Sequence, residues 1–370
     1  MSDIAGASSS AFSADASSTK KKGDFLFLAE LGEGSYSTVY LASERQTSRK
    51  FAVKMCLKKK IIKEKKVQQI FRERDILRLL STPANACPFV VHLFCTFQDD
   101  ESLFFVLSYA PKKDLMARLK KLQRFSVGQC QFAMAELFLA LEHIHALDVI
   151  HRDVKPENIL LREDGHILLS DFGCAKQIIA KRENVAEENG DKTDGQRADD
   201  GQKAEKSADS KSSKKREEEE ATKLALRRRC SFVGSGAYVS PEVLNGKEVT
   251  GACDWWWYGF FVGVGESYII EAFGVTLFQL LVGRLPFSAD SEYLLFRQVL
   301  ALSYKFPDNF PCAAARQLVQ ALLVLEPTQR IGAAEMGGPT TMRHHPFFDG
   351  TVWEGIEKRK SPLFDSAENG

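Results

Sequence analysis

His151-Arg-Asp-Val-Lys-Pro-Glu-Asn158, followed after thirteen residues by Asp171-Phe-Gly173, decides the reading of this 370-residue chain. Asp153 has the chemistry to accept a proton from a hydroxyl group. Asn158 and Asp171 offer hard oxygen ligands of the kind that hold Mg2+ on nucleotide phosphates, and Lys155 adds a cation beside a transferring phosphate. A turn capped by polar residues does not explain why every role of phosphoryl transfer is filled, and in that order.

Upstream of this stretch, Gly32-Glu-Gly-Ser-Tyr-Ser37 lies between two β-rich runs, where glycines let backbone N–H groups approach phosphate oxygens. Seventeen residues past Ser37 comes Ala52-Val-Lys54 on a predicted strand, and nineteen further lies Glu73. Val67, Ile70, Phe71, Ile76, Leu77 and Leu80 recur at helical spacing around Glu73, so a Lys54–Glu73 pair can aim an ammonium group at phosphates. Order is expected from Phe25: short β-rich runs with turn residues between them predict a small antiparallel sheet with one helix, including a strand at Leu103–Leu107. From Asp114 onward helical patterns dominate, notably Val127–His145 and Ala313–Leu325, with a loop-like stretch from Val149 to Gly173.

Lys+Arg 50 against Asp+Glu 49 gives a net charge of +1, so no chain-wide basic field points to nucleic acid. The eight cysteines are scattered without a C-x-x-C pair, which fits reduced thiols and an intracellular, cytoplasmic protein. Residues 1–24 read as a disordered N-terminus lacking the features of a targeting peptide. Between 177 and 229 the composition shifts: residues 181–220 hold 10 Lys/Arg and 13 Asp/Glu with Val185 the one large aliphatic, so this insertion is expected to be disordered. Trp255–Gly283 imitates a membrane span, but Glu266, Glu271 and glycines interrupt it, and no transmembrane segment is expected.

Together these motifs resemble the eukaryotic Ser/Thr protein kinases of the AGC group over residues 25–349. The later landmarks agree: Gly234-Ser-Gly-Ala-Tyr-Val-Ser-Pro-Glu242, Asp254, Arg330 as the partner of Glu242, and His345-Pro-Phe-Phe348. The resemblance implies an α+β, bilobal protein kinase fold: a small sheet lobe with one main helix over 25–110 and a larger, mainly α lobe over 111–349, followed by a tail at 350–370. It implies ATP and Mg2+ as cofactors, with Asp153, Lys155, Lys54 and Glu73 catalytic and Asn158 and Asp171 on the metal. Nucleotide contacts would come from Leu31, Gly32, Gly34, Ser35, Tyr36 and Ser37 of the glycine loop. Val39, Ala52 and Leu160 would sandwich the base; Leu107 would be the gatekeeper, and Ser108, Tyr109 and Ala110 the hinge. Asp114 would reach the ribose, and Lys54, Glu157, Asn158 and Asp171 would complete the ATP-binding residues.

Ser231 matches an activation-loop phosphorylation site, whose phosphate would bind Arg152 near the run Arg227–Arg229. On the small lobe, Ile61, Ile62, Ile70 and Leu103 would line a groove, with Lys58, Arg74, Thr96 and Gln98 holding a phosphate. Such a groove would take the phosphorylated hydrophobic motif of substrate AGC kinases, because no Phe-x-x-Phe-Ser/Thr motif follows Phe348 in this chain. No phosphoinositide-binding domain is expected in it either. One departure is disruptive: residues 257–271 interrupt the Asp-x-Trp-Ala-x-Gly pattern of Asp254-Trp-Trp256 and Ala272-Phe-Gly274. That insertion leaves open a retained intron, a tolerated loop, or a kinase-like scaffold without activity; another AGC kinase with its tail truncated is a further alternative.

Overall fold

A computed structural model describes residues 20–178 and 273–364. The two insertions fall almost wholly outside the described residues (179–229 and 257–271), as do Ser231, Arg227–Arg229, Glu242 and Asp254. Five strands, β1 (Phe25–Glu33), β2 (Ser37–Glu44), β3 (Lys50–Leu57), β4 (Leu93–Gln98) and β5 (Ser102–Leu107), form an antiparallel sheet in the order β1-β2-β3-β5-β4. The two-residue period of a strand splits β3 between two cores. Phe51 and Val53 join Phe25, Phe97, Phe104 and Val106 in a small aromatic cluster, in which Phe97 and Phe104 stack at 4.7 Å. Lys54 and Cys56 point the other way, toward helices α1 (Lys58–Lys63) and α2 (Val67–Leu80).

The helix predicted over residues 67–80 has those bounds, and it buries Ile70, Glu73, Ile76, Leu77 and Leu80. Beyond the sheet, α3 (Leu115–Leu122) and α4 (Val127–Ala146) open the mainly helical part. Ser126 and Gln129 cap α4 reciprocally: Ser126 Oγ accepts from the Gln129 N–H at 3.2 Å, and Gln129 Oε1 accepts from the Ser126 N–H at 3.0 Å. The helix is apolar almost all round because the structure packs it on nearly every side. The stretch read as a loop, 149–173, contains strands too short to show a period: β6 (Val149–Ile150), β7 (Ile159–Leu161) and β8 (Ile167–Leu169). β7 pairs with β8, and β6 pairs with β9 (Lys176–Gln177), which closes the segment between them into one loop cluster.

Helices α5 (Phe273–Val282), α6 (Glu292–Leu300), α7 (Ala313–Leu322) and the short α8 (Pro339–Arg343) complete the α-helices among the described residues. α7 stops three residues before the predicted end, because the Val324 and Leu325 carbonyls turn to accept from the buried Arg330 guanidinium at 2.7 and 3.2 Å. Gly274 lets α5 lie against α7: a Cβ there would stand 2.9 Å from the Leu322 Cβ. Residues 350–364 pack on the helical part. Trp353 lies against Phe138 and Phe348, Leu363 is fully buried, Ser361 Oγ donates to the Gly165 carbonyl at 2.8 Å, and Phe364 covers the Arg118 guanidinium. No helix among the described residues is long and apolar enough to cross a membrane.

One buried ion pair ties α4 to the β7–β8 turn. Glu136 Oε1 lies 2.5 Å from His166 Nδ1, and Glu136 Oε2 accepts from the Ile167 N–H at 2.9 Å. The hydrogen bond to Glu136 raises the His166 pKa. A raised folded-state pKa adds stability that is complete below the unfolded histidine value of about 6.5 and is lost as pH rises through the folded value. Thermal melts from pH 5.5 to 9 should therefore show wild type losing stability relative to His166→Asn across that upper range. Parallel curves for the two proteins would show that the pair is not ionised.

Candidate active site

Lys54 reaches the site because β3 presents it on the face opposite Phe51 and Val53, and α2 brings Glu73 across from it. Lys54 Nζ and Glu73 Oε1 are 2.5 Å apart, both side chains are buried, and Asp171 Oδ1 lies 3.6 Å from the same ammonium. Burial alone would lower the Lys54 pKa, but Glu73 and then Asp171 outweigh it, and the ammonium is held well above its ordinary value. Asp171 is half-exposed: partial withdrawal from water raises its pKa, while Lys54, then His151 and Lys155, bring it below the usual carboxylate range. Three elements thus converge on one cation; burial raises the Glu73 pKa, and Lys54 acts against that rise.

Asp171 has left-handed backbone angles, φ 59° and ψ 74°, and its Oδ1 accepts from the Gly173 N–H at 3.4 Å. The next side chain, Phe172, is buried against the His151 ring with centroids 4.8 Å apart. His151 Nε2 bonds the Ser170 carbonyl at 2.9 Å, and its Nδ1 accepts from the Asp153 N–H at 3.2 Å, so one imidazole fixes both acidic segments. Arg152, at φ 65°, donates from Nε to the Cys174 carbonyl at 2.6 Å. The Cys174 thiol is pushed up to about 12 by burial and then by Asp153, so it is not a thiolate at neutral pH.

The Asp153 carboxylate is held on both sides. Lys155 Nζ donates to Oδ1 and Oδ2 at 3.0 and 3.1 Å, and Asn158 Nδ2 donates to Oδ2 at 2.7 Å. Asn158 Nδ2 also donates to the Asp153 carbonyl at 2.7 Å, so the amide is fixed with its carbonyl oxygen left as a ligand. Among the described residues no group of three His, Cys, Asp or Glu side chains forms a metal cage. An ionised Asp171 and an oriented Asn158 amide fit Mg2+, which takes few protein oxygens and completes its shell with phosphates and water.

In the glycine loop, Leu31, Gly32, Gly34 and Ser35 are exposed, and the Gly34 N–H donates to the Ser37 carbonyl at 2.7 Å. Tyr36 turns inward: its hydroxyl lies near Gly173, and burial raises its pKa. Val39 pairs with Lys54, and Ala52 with Leu107, in adjacent ladders. Ser108 donates its N–H to the His92 carbonyl at 3.0 Å, and Tyr109 and Ala110 follow it half-buried. Asp114 lies opposite Leu160 in an isolated bridge, and its Oδ1 caps α3 by accepting from the Ala117 N–H at 2.7 Å. Glu157 is exposed beside the Asn158 turn.

The expected docking residues divide. Ile61, Ile70 and Leu103 belong to the buried core with Cys56, whereas Ile62 is 54% exposed. Lys58 Nζ donates to the Asp99 carbonyl at 2.6 Å, and Arg74 lies over the Phe71 ring with a nitrogen 2.7 Å from Asp75 Oδ1. Thr96 is buried and Gln98 half-buried on β4. Sequence reasoning passed over Gln69, whose Nε2 donates to the Gly173 carbonyl at 2.7 Å. The available signal was its place four residues before Glu73.

A five-stranded antiparallel sheet with an inward Lys–Glu pair, set against a mainly helical part that carries the two acidic loops, defines the α+β bilobal kinase fold. The protein kinase domain family matches residues 25–193. The chain is 39% identical over 343 residues to 3-phosphoinositide-dependent protein kinase 1 of Rattus norvegicus, covering 93% of this chain and 50% of that one. A Homo sapiens chain named as a 3-phosphoinositide-dependent protein kinase 2 is 38% identical over 343 residues, covering 93% of this chain and 71% of the relative. Serine/threonine-protein kinase ksg1 of Schizosaccharomyces pombe is 36% identical over 349 residues, covering 93% and 50%. This chain belongs to the Ser/Thr protein kinases of the AGC group and is similar to 3-phosphoinositide-dependent protein kinase 1. It spans about half the length of the rat relative and of its counterpart in Homo sapiens.

Gly173 is where the convergence leaves least room. A Cβ there would stand 3.2 Å from Asp171 Oδ1, 3.6 Å from Glu73 Oε2 and 3.8 Å from the Tyr36 hydroxyl. Gly173→Ala must displace the Asp171 carboxylate by a few tenths of an ångström. Calorimetric titration should show affinity for Mg-ATP reduced about 3- to 10-fold with the melting temperature nearly unchanged.

Proposed function

We propose that this chain is a Ser/Thr protein kinase that transfers the γ-phosphate of ATP to activation-loop Ser or Thr residues of other AGC kinases. The observation that carries the reading is the Asp153 carboxylate, clamped by Lys155 and Asn158 within the same site as the Lys54–Glu73 pair and Asp171. Lys54, paired and fully charged, binds the nucleotide phosphates and orients them. Asp153 takes the proton of the substrate hydroxyl as the new O–P bond forms and the bond from the γ-phosphorus to the β–γ bridging oxygen breaks, releasing ADP. Lys155 offsets negative charge gathering on the phosphoryl oxygens. Mg2+ held by Asp171 and Asn158 supplies further charge neutralisation at the phosphates when bound. The Ser108–Ala110 backbone, with Val39, Ala52 and Leu160 above and below, suits adenine, and the free Asp114 oxygen suits a ribose hydroxyl.

Substrate choice falls to the α1–α2 surface. Exposed Ile62 suits an apolar side chain of a substrate's hydrophobic motif; Lys58 and Arg74, with Thr96 and Gln98, suit its phosphate. Phosphorylation of Ser231 would add negative charge of the sign that Arg152 and Arg227–Arg229 attract and so favour an ordered activation segment.

The test is phosphate transfer from Mg-ATP to an AGC activation-loop peptide, with and without an attached hydrophobic-motif segment. Wild type should phosphorylate the peptide, Asp153→Asn should lose about 100- to 10,000-fold, and the attached segment should raise the rate in wild type but not in Ile62→Asp. Transfer that is equal with and without the segment would remove the docking assignment. No transfer by wild type, with transfer restored on deleting residues 257–271, would assign the full chain to the scaffold class.

A further inference from the structure

The segment Lys58–Lys66 holds six lysines against one glutamate, yet the fold uses only one of the six ammonium groups. Lys58 Nζ donates to the Asp99 carbonyl at 2.6 Å, whereas the side chains of Lys59, Lys60, Lys63, Lys65 and Lys66 have no hydrogen bond or ion pair among the described residues. The backbone that carries them is fixed. Ile61 is buried, and the Glu64 and Lys66 N–H groups each donate at 2.9 Å, to the Lys60 and Ile61 carbonyls. Lys65, at φ 56°, closes the turn into α2. At 100° per residue, Lys59, Lys60, Ile62 and Lys63 spread over about 160° of the α1 circumference, opposite Ile61. All four are exposed. Lys59 and Lys63 stand one turn apart, where like charges repel, so the fold by itself loses by the arrangement.

We propose that the outer face of α1 and the turn after it form a reversible contact surface for membranes that carry anionic lipids. A single phosphate calls for donors that converge on it. These lysines are splayed around the helix, and each is a compact cation on a flexible stem, without the planar fork that grips one anion from two sides. Splayed cations match a plane of many headgroups, to which each lysine adds its own attraction. Ile62, 54% exposed in their midst, is the apolar side chain that such a plane receives at the boundary between headgroups and acyl chains. Because the backbone is already set, only side chains are ordered on contact, which lowers the cost of association. The surface is separate from the residues assigned above to a substrate's phosphate, Lys58, Arg74, Thr96 and Gln98. Ile62 alone is common to both, so the lysines are the residues to alter.

The test is co-sedimentation of the full chain with phosphatidylcholine vesicles, either pure or containing about 30% phosphatidylserine, at about 50 and about 500 mM salt. At low salt, binding should be at least about 10-fold stronger with phosphatidylserine, and it should fall about 10-fold at high salt, where screening shortens the reach of each charge. Replacing Lys59, Lys60, Lys63 and Lys65 together by Gln should weaken binding about 10-fold or more, whereas Arg at the same four positions should stay within about 3-fold of wild type. Gln at four exposed lysines elsewhere, Lys21, Lys50, Lys120 and Lys305, makes the same change in net charge and should also stay within about 3-fold. Acetylation footprinting of wild type needs no variant: phosphatidylserine vesicles should slow modification of Lys59, Lys60, Lys63 and Lys65 about 3-fold or more and leave Lys305 unchanged. Equal binding to the two kinds of vesicle, or equal losses for the two Gln variants, would overturn the proposal. Unbound vesicles, with a phosphorylated hydrophobic-motif peptide or a single-stranded oligonucleotide held by the same lysines, would overturn it in favour of that partner.

Discussion

The site depends on keeping one ammonium group, that of Lys54, charged inside the protein. Burying it unpaired would cost several kcal/mol, and removing one partner of a buried pair typically costs about 3–5 kcal/mol. Glu73 at 2.5 Å and Asp171 at 3.6 Å meet that cost only when β3, α2 and the Asp171 turn are all in place. Glu73 Oε2 is buried without a hydrogen-bond partner among the described residues, so the carboxylate is committed to Lys54 through its other oxygen. The same arrangement that satisfies the ammonium fixes it at the centre of the candidate site.

The helical part contributes the opposite half by a related device. His151 bonds the Ser170 carbonyl and the Asp153 N–H and packs on Phe172, so the segments that carry Asp153 and Asp171 share a single buried support. Positive φ at Arg152 and Asp171, 65° and 59°, stores backbone strain beside both acids. The hydrogen bonds on either side of these residues hold the strained conformations in place.

The candidate site was legible because the proposed chemistry fixes residue type and spacing: Lys54, Glu73 and Asp171 come together in the structure, as do Asp153 and Asn158. The long elements were legible too, since Val67–Leu80 repeats its apolar residues at helical period and β3 and β5 are rich in β-formers. β6 to β9 were not, because strands of two or three residues have no period to read. Asp114 fits both a ribose contact and an N-cap, and its cap is visible only once α3 is seen to start at Leu115. The packing of Trp353, Leu363 and Phe364 escaped notice since isolated apolar residues in a polar stretch carry no pattern. Ile61 and Ile70 illustrate the converse: sequence names them as apolar on a basic segment, and only the fold shows them as core and Ile62 as surface.

The central claim is that Lys54 and Glu73 act as one unit in phosphoryl transfer. It is tested most directly by a double-mutant cycle on kcat/KM with Lys54→Met, Glu73→Gln and the pair together. If the two act as a unit, the double variant is little worse than the more damaged single variant, leaving a coupling of about 1–3 kcal/mol. Losses that simply add would show that the two residues serve catalysis independently and would contradict the account.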